Sequence, residues 1–177
     1  LDYSGKTIAR EGNIGAPIAL DQTTRVVEFN DLVGMEEALA YGDVAAILME
    51  PAMTNIGIVL PEDGYLHQVG ELAKKYGAFW IIDETHTISV GMGGMTQALG
   101  LRPDFLTIGK AIAGGIPAGT FGMTQEVADA IATRVKLDQI DTGGIGGTLA
   151  GNALSLAAMR ATLNQVLTVK AFEKMIA

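Results

Sequence analysis

The stretch 79–110 constrains what this chain can fold into more than any other. It opens "FWIIDETHT" and closes "PDFLTIGKAIAGG". Each half is an apolar run that ends in a charge. Phe79-Trp80-Ile81-Ile82 runs into Asp83, and Phe105-Leu106-Thr107-Ile108-Gly109 runs into Lys110. Short apolar runs bounded by breakers suit strands buried on both faces of a parallel sheet. Ligands of such sheets bind outside the carboxyl ends of the strands. Asp83 and Lys110 are therefore expected on one rim, an acid and an amine facing one crevice.

The flanks repeat the pattern. The run "VAAILM" at 44–49 predicts a third buried strand, ending at Glu50-Pro51. Residues 65–76 carry Leu66, Val69, Leu72 and Ala73 at helical spacing, and Gly77 is a natural C-terminal stop. Strand, helix and strand of this length form a βαβ unit with a right-handed crossover. Upstream, Gly12, Gly15 and Pro17 punctuate a loop through residue 25, residues 26–29 predict a short strand, and Asn30 offers an N-cap for a helix through Ala40. Downstream, Gly91, Gly93 and Gly94 imply special backbone angles or close approach to another group. Residues 120–123 predict a strand and 125–135 a helix with Val127, Ala128, Ile131 and Val135 inward. Residues 138–147 predict a flexible loop, and a long helix runs from Ala153 to at least Leu167. The alternation argues an α/β domain with a mainly parallel sheet.

Composition excludes several function classes. At 177 residues and 49% hydrophobic content, disorder is not expected. The formal charge is −8 and the 12 Lys and Arg are scattered, so nucleic acid and acidic membrane surfaces are poor partners. The absence of cysteine removes disulfides, thiolate nucleophiles and thiolate metal sites, and two histidines give a metal site little support. No apolar run approaches the ~18 residues of a membrane span. A cytoplasmic protein is expected. The chain starts without Met and ends inside a helical pattern at "KAFEKMIA", so both ends read as cut.

Lys110 is the central chemical candidate. Between apolar residues and a Gly-rich turn, its amine can be desolvated and attack a carbonyl to form a Schiff base. The alternative is a solvated charge at a strand end. Asp83, after two isoleucines, is expected to be partly buried and to need a partner: a protonated heterocyclic nitrogen, or a structural Arg or Lys. Glu84 and Glu50 read as structural. In "GGTLAGN", Gly147 and Thr148 stand before a helix, where turn amides and a hydroxyl can cradle a phosphate. His86, three residues past Asp83, reads as a switch, a ligand or a hydrogen-bonding wall residue. Other readings fail on detail. A nucleotide phosphate loop needs Gly where Asp104 sits and Ser or Thr where Ala111 sits. No G-x-G-x-x-G follows a strand, and no G-x-S-x-G is present.

Four blocks in order, "ILMEPAMTNIGIVLP", "FWIIDETHT", "PDFLTIGKAIAGGIPAGTFG" and "GGTLAGN", resemble the class III aminotransferases, which are fold-type I enzymes dependent on pyridoxal 5′-phosphate. The likeness runs from about Val26 to the C-terminus and is nearest the branch with glutamate-1-semialdehyde aminomutase. It implies a three-layer α/β/α architecture, with residues 1–177 as the central part of a large domain. An N-terminal segment and a C-terminal small domain would lie outside them. It implies Lys110 as the Schiff-base lysine and proton shuttle, and Asp83 as the partner of the pyridine nitrogen. Thr85 falls where the family packs a residue on the ring face, usually Val. Gly147 and Thr148 fall at the cofactor phosphate, with Thr148 serving the neighbouring subunit of a homodimer. His86 falls where Gln or Met is frequent, near the cofactor's phenolic oxygen. Asn55 falls where many members carry Glu and the aminomutase branch carries Asn, so Asn55 and His86 are expected in the substrate pocket. Asn152-Ala153 departs from the usual Asn-Pro.

The resemblance implies amino transfer between an amino acid or amine donor and an oxo acid or aldehyde acceptor. One alternative is intramolecular transfer of the aminomutase kind. Another is a non-catalytic scaffold with this fold.

Overall fold

In the computed structural model, residues 2–8, 18–134 and 148–176 are described. The helix over 65–76 forms as its spacing predicts. This α2 (Tyr65–Tyr76) buries Tyr65, Leu66, Val69, Gly70 and Ala73, and it stops at Gly77 in the left-handed conformation with Lys74 and Lys75 in its last turn. It follows α1 (Leu32–Leu39), which buries Met35 and Leu39. Both lie on a four-stranded sheet of order β1-β2-β3-β4: β1 (Ala46–Met49), β2 (Phe79–Asp83), β3 (Phe105–Ile108) and β4 (Thr120–Met123). The first three are parallel, and β4 runs antiparallel to β3.

Register decides which side chains share a face. Ile47 pairs with Trp80, Met49 with Ile82, and Ile82 with Leu106. These five project toward the helices and join one hydrophobic core with Leu39, Leu66 and Val69. Burying each such side chain stabilises by about 1.5–3 kcal/mol. The contact is close, since a Cβ on Gly70 of α2 would meet the Trp80 ring at 2.9 Å. Asp104 then ties β2 to β3: its carboxylate accepts from the Trp80 amide at 2.8 Å, and its own amide donates to the Trp80 carbonyl at 2.9 Å.

The opposite face carries Leu48, Phe79, Ile81, Asp83, Phe105, Thr107 and Phe121. Leu48 is 69% exposed, Phe79 46% and Phe121 44%. Phe79 and Phe105 stack edge to face across it.

Three sequence expectations are corrected. Residues 26–29 form no strand, because no partner ladder reaches them. They pass along the free edge of β1 and leave a cleft of about 770 Å³ lined by Arg25, Val27, Phe29, Met35 and Leu48. The cap of α1 is Asp31, whose carboxylate accepts from the Gly34 amide at 2.9 Å. Asn30 instead sits at φ +72° and fastens the next loop: its amide donates to the Leu60 carbonyl and its oxygen accepts from the Glu62 amide. The long C-terminal helix is two helices, α5 (Ala153–Gln165) and α6 (Val169–Ile176). β-branched Val166 and Thr168 favour the break, and the Thr168 hydroxyl accepts from the Ala171 amide at 3.3 Å to start α6. Upstream of both helices lie α3 (Gly94–Ala98), between β2 and β3, and α4 (Gln125–Arg134), after β4. Val135, the loop expected over 138–147 and Gly147 with it lie outside the described residues.

Candidate active site

The parallel register delivers the acid and the amine to one rim. Asp83 pairs with Thr107, and the Glu84 amide continues the ladder to the Thr107 carbonyl at 2.8 Å. Lys110 stands three residues past Thr107, at the start of the 3₁₀ turn Lys110–Ala113. Its φ is +48°, a left-handed angle held at a non-glycine residue. The buried Ile112 and Ala113 anchor that turn, and α5 packs against it.

Asp83 is half-buried on the sheet face away from α1 and α2. Burial pushes its carboxyl up. The Thr85 hydroxyl and amide, the Thr107 hydroxyl and the charge of Lys110 outweigh that, so the group is held below its ordinary range and is ionised at neutral pH. Among the described residues no cation lies within ion-pair distance of it. The Thr85 amide donates to Asp83 at 2.9 Å, and the Thr85 methyl lies 3.6 Å from where a Cβ on Gly109 would stand. Asp83, Thr85 and the Gly109-Lys110 turn therefore adjoin.

Glu84 points the other way and is fully buried. It accepts from the Thr87 hydroxyl and from the amides of Met95 and Thr96. Gly94, at φ +62°, approaches so closely that a Cβ there would sit 2.4 Å from the carboxylate. The glycine run thus makes its close approach to an acid of this chain. Glu84 fixes the segment that carries His86, which precedes the 3₁₀ turn Thr87–Val90. The His86 Nε2 meets the Lys110 Nζ in a hydrogen bond. This contact was not foreseen from sequence; the one available signal was a histidine three residues beyond the strand-end acid.

The remaining candidates stand apart. Asn55 is exposed, and its amide reaches the Glu50 carboxylate at 3.5 Å, which also accepts from the Thr54 hydroxyl at 2.7 Å. Thr148 is exposed in the turn before α5, and among the described residues no hydrogen bond joins it to Asp83 or Lys110. The cleft beside β1 contains none of Asp83, His86 and Lys110. It runs along the edge strand β1, whereas Asp83, His86 and Lys110 lie at and beyond the carboxyl ends of β2 and β3. Among the described residues no group of acids and histidines could hold a metal ion, and no helix is long and apolar enough to cross a membrane.

The mostly parallel sheet with its helices matches that of fold-type I pyridoxal-phosphate enzymes. The sequence profile described as "Aminotransferase class-III" matches residues 15–176, and the chain belongs to that family. A glutamate-1-semialdehyde 2,1-aminomutase of Anaeromyxobacter sp. (strain Fw109-5) is 37% identical over 173 residues, covering 96% of this chain and 39% of its own length. The crystal structure of a glutamate-1-semialdehyde-aminomutase variant from Pseudomonas aeruginosa PAO1 in complex with PMP is 48% identical with a TM-score of 0.88. It covers 98% of this chain and 39% of that one. An omega-transaminase from Sphaerobacter thermophilus is 29% identical with a TM-score of 0.76, covering 96% and 38%. The chain thus spans about 39% of the curated relative it matches. The family is one of pyridoxal-phosphate-dependent enzymes acting on small amino and oxo compounds.

Proposed function

We propose that the protein containing this chain moves an amino group with pyridoxal phosphate, using Lys110 and Asp83. The observation that carries the reading is Asp83: a half-buried, ionised carboxylate near the Lys110 amine, with no cation within ion-pair distance among the described residues. Such a group fits a protonated ring nitrogen. When bound, pyridoxal phosphate supplies an electron-withdrawing ring that accepts the electron pair released at the substrate's α-carbon. Asp83 holds the proton on the ring nitrogen. Lys110 Nζ would hold the group covalently through its aldehyde carbon, with loss of water, and once free would take and return the proton at that α-carbon. Thr85, beside Gly109, would bound the ring, and His86 at Lys110 and the more distant Asn55 would serve the substrate.

In this reading residues 1–177 are part of the large domain. Gly147 and Thr148 contribute to the phosphate site, with Thr148 reaching across a homodimer. Leu149, Leu154 and Leu156, 81%, 67% and 49% exposed beside Thr148, suit burial against a second subunit.

The test treats full-length protein with pyridoxal phosphate, then borohydride. The peptide containing Lys110 gains the cofactor mass, and Lys110→Ala gains none. Attachment at another lysine sinks the assignment. A second reading, intramolecular transfer between neighbouring carbons, is supported by Asn55 and by the names of the relatives. Product formed without any oxo acceptor favours it, and strict acceptor dependence favours the transaminase.

A further inference from the structure

We infer that His86 is a positioning residue for Lys110: its Nε2 accepts a hydrogen bond from the Lys110 ammonium whenever that lysine is not bonded to a carbonyl carbon. The inference rests on Lys110 being the nucleophile, as proposed above, and goes beyond the substrate-pocket place expected for His86.

Two independent features point the groups at each other. The first is the backbone of Lys110, whose φ of +48° departs from the extended course of β3 and sets where the side chain starts. The second is the rigidity of the histidine's platform. Fully buried Glu84 holds the amides of Met95 and Thr96 and the Thr87 hydroxyl, the Ile88 amide donates to the Glu84 carbonyl at 2.8 Å, and the Ser89 hydroxyl donates to the His86 carbonyl at 2.8 Å. His86 thus stands on a stitched turn, and Lys110 reaches it from the next strand.

The surrounding charges leave the histidine as the near acceptor for that lysine. Asp83 adjoins through its charge, but no ion pair joins it to Lys110 among the described residues. Of the elements packed on the 3₁₀ turn, α3 carries no titratable side chain, and α6 keeps Lys170, Glu173 and Lys174 exposed. Glu84 faces away, into its own donors. With Nε2 as acceptor, the imidazole proton sits on Nδ1. A free lysine held this way stays at the rim, where its next proton transfer takes place. While the contact is made, Nζ is engaged with Nε2 and is withheld from a carbonyl carbon.

The test uses full-length apoprotein, a small aldehyde with a mild hydride reductant, and mass spectrometry of the Lys110 peptide. The exposed Lys74 serves as internal reference. His86→Phe keeps a ring of similar size without an acceptor, and His86→Gln keeps an acceptor. At neutral pH, Lys110 in His86→Phe is alkylated about threefold to tenfold faster than in wild type, as loss of one hydrogen bond of typical net strength implies. His86→Gln stays within about twofold of wild type, and Lys74 is unchanged in both. Equal Lys110 rates in wild type and His86→Phe overturn the inference and leave the Lys110 reading intact. His86→Gln behaving as His86→Phe also overturns it. A Lys110 alkylated in none of the three proteins overturns the nucleophile reading and this inference with it.

Discussion

The two faces of the sheet differ in what closes them. Toward α1 and α2, Ile47, Trp80 and Ile82 are buried by elements adjacent in sequence, so that face is complete within the chain. On the other, Leu48, Phe79 and Phe121 stay exposed, and Asp83 ends the same row. The neighbouring acids Asp83 and Glu84 divide along this line. Glu84 is walled in by donors of its own chain, and Asp83 is ionised and unpaired. The packed face builds the fold, while the open face carries Asp83 and leaves Leu48, Phe79 and Phe121 uncovered by the described residues.

The largest effect expected from breaking this contrast comes from a matched pair in β2. In the full-length protein, Trp80→Ala costs about 3–5 kcal/mol, because it empties the core against α2. Phe79→Ala, on the open face, costs about 1 kcal/mol or less if nothing covers it. Denaturant midpoints measure both. Equal costs would mean that other parts of the protein close the second face as tightly as α2 closes the first. Next comes Glu84→Gln, which replaces an acceptor-only group with one that also donates and so faces the Met95 and Thr96 amides with N–H groups. The expected loss is about 1–3 kcal/mol, with faster amide exchange over 94–98. An unchanged melting temperature would show that Glu84 is dispensable.

The smallest effect is in pH. Because the folded state holds the Asp83 carboxyl below its unfolded value, its ionised form favours the fold above the ordinary carboxylate range. That contribution disappears as pH falls through the folded value. Cofactor affinity should therefore show no Asp83 step between pH 8 and about 5. A step in that window that Asp83→Asn removes would contradict an ionised Asp83.

Much of this was legible in the sequence where local signals agree. The bounds of α2 and β2 follow from a helical repeat ended by Gly77 and an apolar run ended by Asp83, and the strand expected over 120–123 forms as β4. The shared rim follows from two parallel strands each ending in a charge. The misread 26–29 segment has strand composition but no ladder, and pairing is not a local property. Asn30 has cap chemistry but a left-handed backbone that aims its side chain at the 60–62 loop. The open face was invisible for a related reason: an apolar run reads alike whether one side or both are covered. The Lys110–His86 contact depends on a 3₁₀ turn and a positive φ, and neither has a sequence signature.

The left-handed backbone at Lys110 sets thermal robustness against the amine chemistry proposed for that residue. A lysine held there costs about 1 kcal/mol that a glycine would not. A library ranked only by heat resistance would therefore enrich Lys110→Gly and discard the amine. Any stabilisation effort should keep position 110 fixed and look for its gains in the core against α2.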